Sequence, residues 1–177
     1  MKLKVFRYKR VKSTNSTAIR IIRETNYQTG MVISDMQTKG RGQYGKKWIS
    51  LKGNLFVSFF FNLGNINLSL KRLTRFNCLL VKKFIQIYYK KNISYKKPND
   101  LLIEKKKICG ILQEKVKKFD QNFLIVGIGL NLAKNPITNS YKTTNLFELI
   151  KKKIPKKKIE KQLKIIFEQK ISKIKRI

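Results

Sequence analysis

"KKICGILQEKVKKFDQNFLIVGIGLNL", residues 106–132, is the stretch whose reading decides the fold. Two apolar, β-branched runs, 106–116 and 122–132, are separated only by KKFDQ. So short a link between two strand patterns predicts an antiparallel hairpin. Working outward, NLFVSFFFNL (54–63) is β-branched and aromatic and reads as a buried strand. LKVFRY (3–8) and MVISDM (31–36) read as further strands. Between them STNSTAIRIIRETN (13–26) reads as a helix capped by Thr14 or Asn15, with Ala18, Ile21 and Ile22 on its apolar face. The segment 69–92 has helical spacing of Leu73, Phe76, Leu80, Phe84, Ile87 and Tyr88. ISYKKPNDLLI (93–103) is extended and broken at Pro98, and the tail 144–177 is helical with a break near Pro155. Strands and helices do not alternate regularly. The predicted fold is therefore α+β, a mixed and mostly antiparallel sheet flanked by helices in a single domain spanning 1–177.

Composition excludes several chemistries. No His occurs, which removes His metal sites, Ser-His-Asp triads and imidazole acid–base catalysis. Cys78 and Cys109 form no CxxC pair, and the opening MKLKVFRYKR has no apolar run of signal-peptide length, so the chain reads as cytoplasmic and reduced. No window reaches the roughly 18 apolar residues of a membrane span. The net charge of +33 alone would point to an anionic partner such as nucleic acid. However, Lys, Ile and Asn are all abundant while Ala occurs only at 18 and 133, the signature of an A/T-rich coding sequence. The lysines are also spread along the whole chain, where a nucleic-acid binder would gather them on one face.

Three clusters carry potential chemistry, each with two readings. In QTKGRGQYGKKW (37–48) glycine backbone can approach an oxyanion, with Arg41 between Gly40 and Gly42 offering a forked donor; the other reading is a basic turn with no ligand. The loop matches neither a P-loop nor GxGxxG. In KKPNDLLIEKKKICGILQE (96–114) Asn99 and Asp100 sit at a proline turn, where a carboxylate accepts a proton or holds Mg2+ through water, or simply makes a turn. Lys107 next to an apolar strand points into a cleft or into solvent. In IVGIGLNL (125–132) Gly127, Gly129 and Asn131 share one strand face. Two missing side chains there open a groove for a flat ligand, or let another element cross closely.

Taken in order, STN at 13–15, QxxGRGxxGxxW at 37–48, KxPND at 96–100, KxxGILxE at 107–114 and GxGxN at 127–131 resemble the catalytic domain of biotin protein ligases over roughly residues 5–150. The resemblance implies a class II aminoacyl-tRNA synthetase/biotin synthetase-like fold. It also implies two-step chemistry: biotin and ATP, with Mg2+, give biotinyl-5′-AMP, and a lysine of a biotin carboxyl carrier protein then takes the biotinyl group. A carboxylate nucleophile is already ionised at neutral pH, so no His base is required. By the same resemblance Ser13, Thr14, Asn15 and Gln37 bind the biotin head. Gly40, Arg41, Gly42 and Gln43 close over the acyl phosphate, and Lys107 contacts the carboxyl and phosphate oxygens. Gly110, Gly127 and Gly129 leave room for the ligand. Trp48, Asn99 and Asn131 lie at the adenylate, and Asp100 orients the incoming amine. No direct protein ligand to a metal, no nucleic acid and no membrane are implied, and a homodimer is among the arrangements relatives adopt.

The chain departs from the family's pattern at two positions. Gln43 stands where an arginine is usual, which predicts weaker retention of the adenylate, and Lys97 replaces an aromatic residue in KxPND. The sequence also leaves no span for an N-terminal winged helix or a C-terminal β-barrel domain. The alternatives are a lipoate or octanoate ligase of the same fold, an inactive biotin-binding relative, and a basic nucleic-acid-binding protein.

Overall fold

The computed structural model describes residues 2–64 and 69–174, with backbone alone beyond 170; the end of the predicted tail, 175–177, lies outside the described residues. The strands are β1 (Lys4–Val11), β2 (Thr29–Gln37), β3 (Leu55–Asn62), β4 (Ser94–Lys96), β5 (Asp100–Ile103), β6 (Lys106–Lys118) and β7 (Gln121–Leu130). The helices are α1 (Thr14–Glu24), α2 (Leu70–Gln86), α3 (Leu146–Ile150) and α4 (Lys156–Ile174). The strands form one seven-stranded sheet in the order β1-β2-β3-β7-β6-β5-β4. Only β1 and β2 run parallel, because α1 carries the chain back between them; every other neighbouring pair is antiparallel. The predicted hairpin is present, with Lys118 paired to Gln121 across Phe119 and Asp120.

β3 is buried along nearly its whole length because helices cover both faces of the sheet. Leu55, Val57, Phe59 and Phe61 point into the larger core with α2 and α4, where Phe59 stacks on Phe167 at 3.9 Å between ring centroids. Phe60 points the other way, against Ala18, Ile21 and Ile22 of α1. Ser58 lies on that second face and is fully buried although polar.

Several local expectations change. Ser13, not Thr14 or Asn15, is the N-cap of α1, and its side chain makes no capping bond. Both expected caps lie inside the helix, where their side chains serve tertiary contacts. Helix α2 ends at Gln86 rather than 92, and Phe76 and Ile87 are exposed while Leu73, Leu80 and Phe84 face the core. The extended piece at 93–103 is a second, small hairpin, β4–β5, closed by a bond from the Tyr95 hydroxyl to the Pro98 carbonyl, with the Lys97–Pro98 peptide cis. Cys78 and Cys109 are both free and buried.

Candidate active site

The register of the sheet assembles the site. Ser34, Phe56, Gly129, Gly110 and Asp100 pair in sequence across five strands, and paired residues share a face. The neighbouring row contains Ser58, Gly127 and Leu112. Where the rows carry glycine the sheet face is bare, and other parts of the chain come down onto it. The Asn15 amide rests on Gly127, and the indole of Trp48 lies over both Gly129 and Gly110. A Cβ at Gly110 would stand 2.8 Å from Trp48 Cζ3. The groove expected at the two strand glycines is thus crossed closely by the protein's own flat ring. The cleft of about 800 Å3 opens beside it.

That cleft collects the residues singled out from sequence. Ser13, Thr14, Asn15, Gln37, Arg41, Gly42, Gln43, Trp48, Asn99, Asp100, Lys107, Gly110, Gly127 and Gly129 all line it. Gly40 does not; it is buried under the loop, where the carbonyl oxygen of Trp48 passes through the space a Cβ would need. Asn131 does not line it either. Strand β7 ends at Leu130, so the alternation that would place Asn131 beside Gly129 has ended. Its side chain is 1% exposed and donates to the Thr144 carbonyl at 3.1 Å, and it borders a small side pocket with Trp48, Lys107 and Tyr141.

At one end the cleft is neutral and rigid. The Gln37 amide oxygen accepts from the Thr14 backbone N–H at 2.8 Å and lies 3.1 Å from the Thr14 hydroxyl. The Ser58 hydroxyl lies 2.8 Å from the Thr14 hydroxyl and also contacts Asn15 Oδ1. An amide oxygen can only accept, so Ser58 donates to Asn15, and the single hydroxyl hydrogen of Thr14 goes to Gln37 or Ser58. Asn15 Nδ2 donates to Glu114 Oε2 at 2.7 Å and the Leu112 carbonyl at 3.2 Å, which fixes the amide's orientation. Gln37 Nε2 donates to the Ser50 hydroxyl at 3.1 Å.

The other end is charged and aromatic. Lys107 Nζ stands 2.8 Å from Asp100 Oδ1, 5.4 Å from the Trp48 ring centroid and 4.9 Å from that of Tyr141. Its backbone N–H and carbonyl pair with Lys142 and Thr144, which brings the 133–145 segment, and Tyr141 with it, over the ammonium. Asn99 clamps β6 from the turn, its Nδ2 donating to the Ile111 carbonyl at 2.8 Å while its own carbonyl accepts from the Ile111 N–H at 3.0 Å.

The glycine-rich loop folds over as a small hairpin. Trp48 N–H donates to Gly40 at 3.0 Å, and Gly42 N–H to Lys46 at 2.6 Å. Tyr44, with φ of 53°, sits at its exposed tip. Arg41 is anchored at one edge of its guanidinium: its Nη2 donates to Glu114 Oε2 at 2.7 Å and Oε1 at 3.0 Å. Among the described residues, two buried polar atoms on the cleft wall, Gln43 Oε1 and Trp48 Nε1, have no protein partner. Sequence reasoning missed Ser58, Glu114 and Tyr141. Only Glu114 left a signal there, as the last residue of KxxGILxE.

Comparison with known proteins matches this arrangement. The pattern of the Biotin/lipoate A/B protein ligase family fits residues 8–131. The bifunctional ligase/repressor BirA of Bacillus subtilis is 31% identical over 126 residues, 70% of this chain but 39% of the relative. That of Escherichia coli is 30% identical over 110 residues, 61% of this chain and 34% of the relative. The chain therefore spans well under half the length of these relatives. The biotin protein ligase from Aquifex aeolicus, solved in complex with biotin and ATP, superposes with a TM-score of 0.81 at 31% identity, covering 98% of this chain and 72% of that one. With its motifs gathered on one cleft and more than half its length matched, this chain belongs to the biotin/lipoate A/B protein ligase family.

Proposed function

We propose that this chain is a biotin–protein ligase of the cytoplasm. The biotin carboxylate attacks the α-phosphorus of ATP and pyrophosphate leaves, giving biotinyl-5′-AMP. The amine of a lysine on a biotin carboxyl carrier domain then attacks the acyl carbon, losing a proton as AMP leaves. The observation that carries this reading is the division of one cleft into a buried neutral end and a cationic, aromatic end. The first suits an uncharged cyclic head group, the second a carboxylate meeting a phosphate.

Each residue has a physical task. The Gln37–Thr14–Ser58–Asn15 chain is already hydrogen-bonded and offers fixed donors and acceptors to the ureido head, with Ser13 beside it, at little reorganisation cost. Lys107 stabilises the negative charge gathering on the carboxyl and phosphate oxygens. Asp100 holds that ammonium in place at 2.8 Å and, on this reading, orients the incoming amine. Arg41 uses only Nη2 on Glu114; among the described residues its Nε and Nη1 have no protein acceptor and are available to an acyl phosphate. Trp48 Nε1 and Gln43 Oε1 are a donor and an acceptor that a ligand would satisfy, each costing about 1–3 kcal/mol if left buried alone. Asn99 and Asn131 act from behind, fixing β6 and the Lys107–Thr144 junction at the adenylate end. Among the described residues there is no cluster of three acidic or thiolate groups, and on this reading Mg2+ would enter with the phosphates of ATP.

The test is acid-dependent ATP–pyrophosphate exchange on the purified chain, with biotin, lipoate and octanoate offered separately. The expected result is exchange with biotin alone, reduced about 100-fold or more in Lys107→Ala. Exchange with lipoate or octanoate in place of biotin would assign the chain to the other branch of its family. No exchange with any acid, from folded protein, would make it a binder without this activity.

A further inference from the structure

Acidic groups are scarce in this chain, nine against 42 basic ones, yet two of them are each set on a cation of an ordered motif that lines the cleft, Asp100 on Lys107 and Glu114 on Arg41. Asp100 with Lys107 belongs to the chemistry above. Glu114 lies further along β6, three-quarters buried, and meets no proposed reacting atom. Its two oxygens receive Arg41 Nη2 from the glycine-rich loop, and Oε2 also receives Asn15 Nδ2 at the head of α1. Among the described residues this is the one ion pair between that loop and the sheet. At its base the loop is tied by the Thr38 and Lys39 N–H groups to the Val11 and Lys12 carbonyls; beyond that its backbone bonds run back on itself, Gly42 to Lys46 and Gly40 to Trp48, and its tip is exposed at Tyr44. Asn15, in turn, is 2% exposed and tied through Ser58 to Thr14 and so to Gln37.

We propose that Glu114 is a positioning residue that couples the neutral end of the cleft to the phosphate-facing loop; only the identity of the ligand rests on the reading above. Glu114 anchors one edge of the Arg41 guanidinium and leaves its other N–H groups for an anion. Because the same carboxylate holds Asn15, a head group that tightens the Thr14–Asn15 network steadies Glu114, and with it Arg41 and the loop. The device works by charge, which distinguishes it from simple packing: a neutral amide of the same shape keeps the Asn15 contact but loses most of its hold on a guanidinium.

The experiment is amide hydrogen exchange over residues 39–47 in the parent chain, Glu114→Gln, Arg41→Gln and the double variant, without ligand, at low and high salt. Each single change should speed loop exchange about five- to tenfold at low salt. The double variant should go no further, and high salt should bring the parent towards the variants while leaving them unmoved. Glu114→Asp should fall between. In pyrophosphate exchange Glu114→Gln should raise KM for the acid and change kcat much less. Unchanged loop exchange in a folded Glu114→Gln, or additive effects in the double variant, would overturn the proposal. Should Glu114→Gln fail to fold, Arg41→Gln and the salt series decide it. The ligand-free arms stand even if no acid supports exchange, so failure of the activity and failure of the coupling are distinguishable.

Discussion

The two ends of the cleft are built in opposite ways. The neutral end is held by regular elements: Thr14 and Asn15 on α1, Ser58 on β3 and the half-buried Gln37 at the end of β2, all joined by hydrogen bonds. The charged end is held largely by connections: Trp48 from the glycine-rich loop and Tyr141 from the 133–145 segment converge on Lys107 at the start of β6, and Asn99 from the β4–β5 turn clamps the same strand at Ile111. The difference teaches where precision and movement are divided. On the proposed reading, the head group meets hydrogen bonds already made between regular elements, while the reacting phosphate meets groups carried on connecting segments.

The sharpest way to break the comparison is Lys107→Ala. Pyrophosphate exchange should fall by about 100- to 1000-fold, and the urea midpoint should register a loss of about 1–3 kcal/mol, because Asp100 Oδ1, 2.8 Å from the ammonium, is left buried without it. A larger loss of stability instead would mean that the charged end is structural. Next is Gly129→Ala, whose new methyl group meets the Trp48 indole. The ring must move, and overpacking of this kind costs about 1–3 kcal/mol by denaturant titration, with a fall in exchange activity. Ser58→Ala should cost about 1–2 kcal/mol, since Asn15 Oδ1 loses a buried donor, and should raise KM for the acid more than it lowers kcat. The opposite split would place Ser58 in the chemical step.

The smallest expected effect concerns pH. Burial first, and the charge of Asp100 second, push the Cys78 thiol up to about 12, from 9.0 for an ordinary thiol. The folded state therefore favours the neutral thiol. Its contribution to stability is complete below about 9 and is lost as pH rises from there towards about 12. Lysine deprotonation over the same range relieves self-repulsion in so cationic a chain, so the measurement is the difference in pH slope between the parent and Cys78→Ala. The variant should lose stability less steeply on the alkaline side; equal slopes would remove the thiol from the account.

Much of the fold and the site is legible in the sequence, for identifiable physical reasons. The β6–β7 hairpin is readable because apolar alternation and a short turn are local signals. The ordered motifs locate the cleft because glycine and lone polar residues weaken a strand unless a close approach or a ligand requires them. Ser58 is hidden inside an unbroken apolar run: nothing local says that α1 places hydroxyl and amide groups opposite it. Tyr141 is hidden because its segment reaches Lys107 only through pairing with the edge of β6. Asn131 is misplaced when strand alternation is extended one residue past the last paired position. The sequence motif aims the Arg41 side chain at phosphate, whereas its nearest anion is a carboxylate 73 positions away in sequence.

Trp48 is the only tryptophan in the chain, and it lies on the cleft wall against Gly110 and Gly129 with an ammonium 5.4 Å from its ring centroid. All of the protein's indole fluorescence therefore originates at the site. With excitation confined to the indole, which leaves out the seven tyrosines, the wavelength, intensity and iodide quenching of the emission report on this one wall, so ligand arrival, loop opening and loss of the Lys107 contact can be followed optically without attaching a dye.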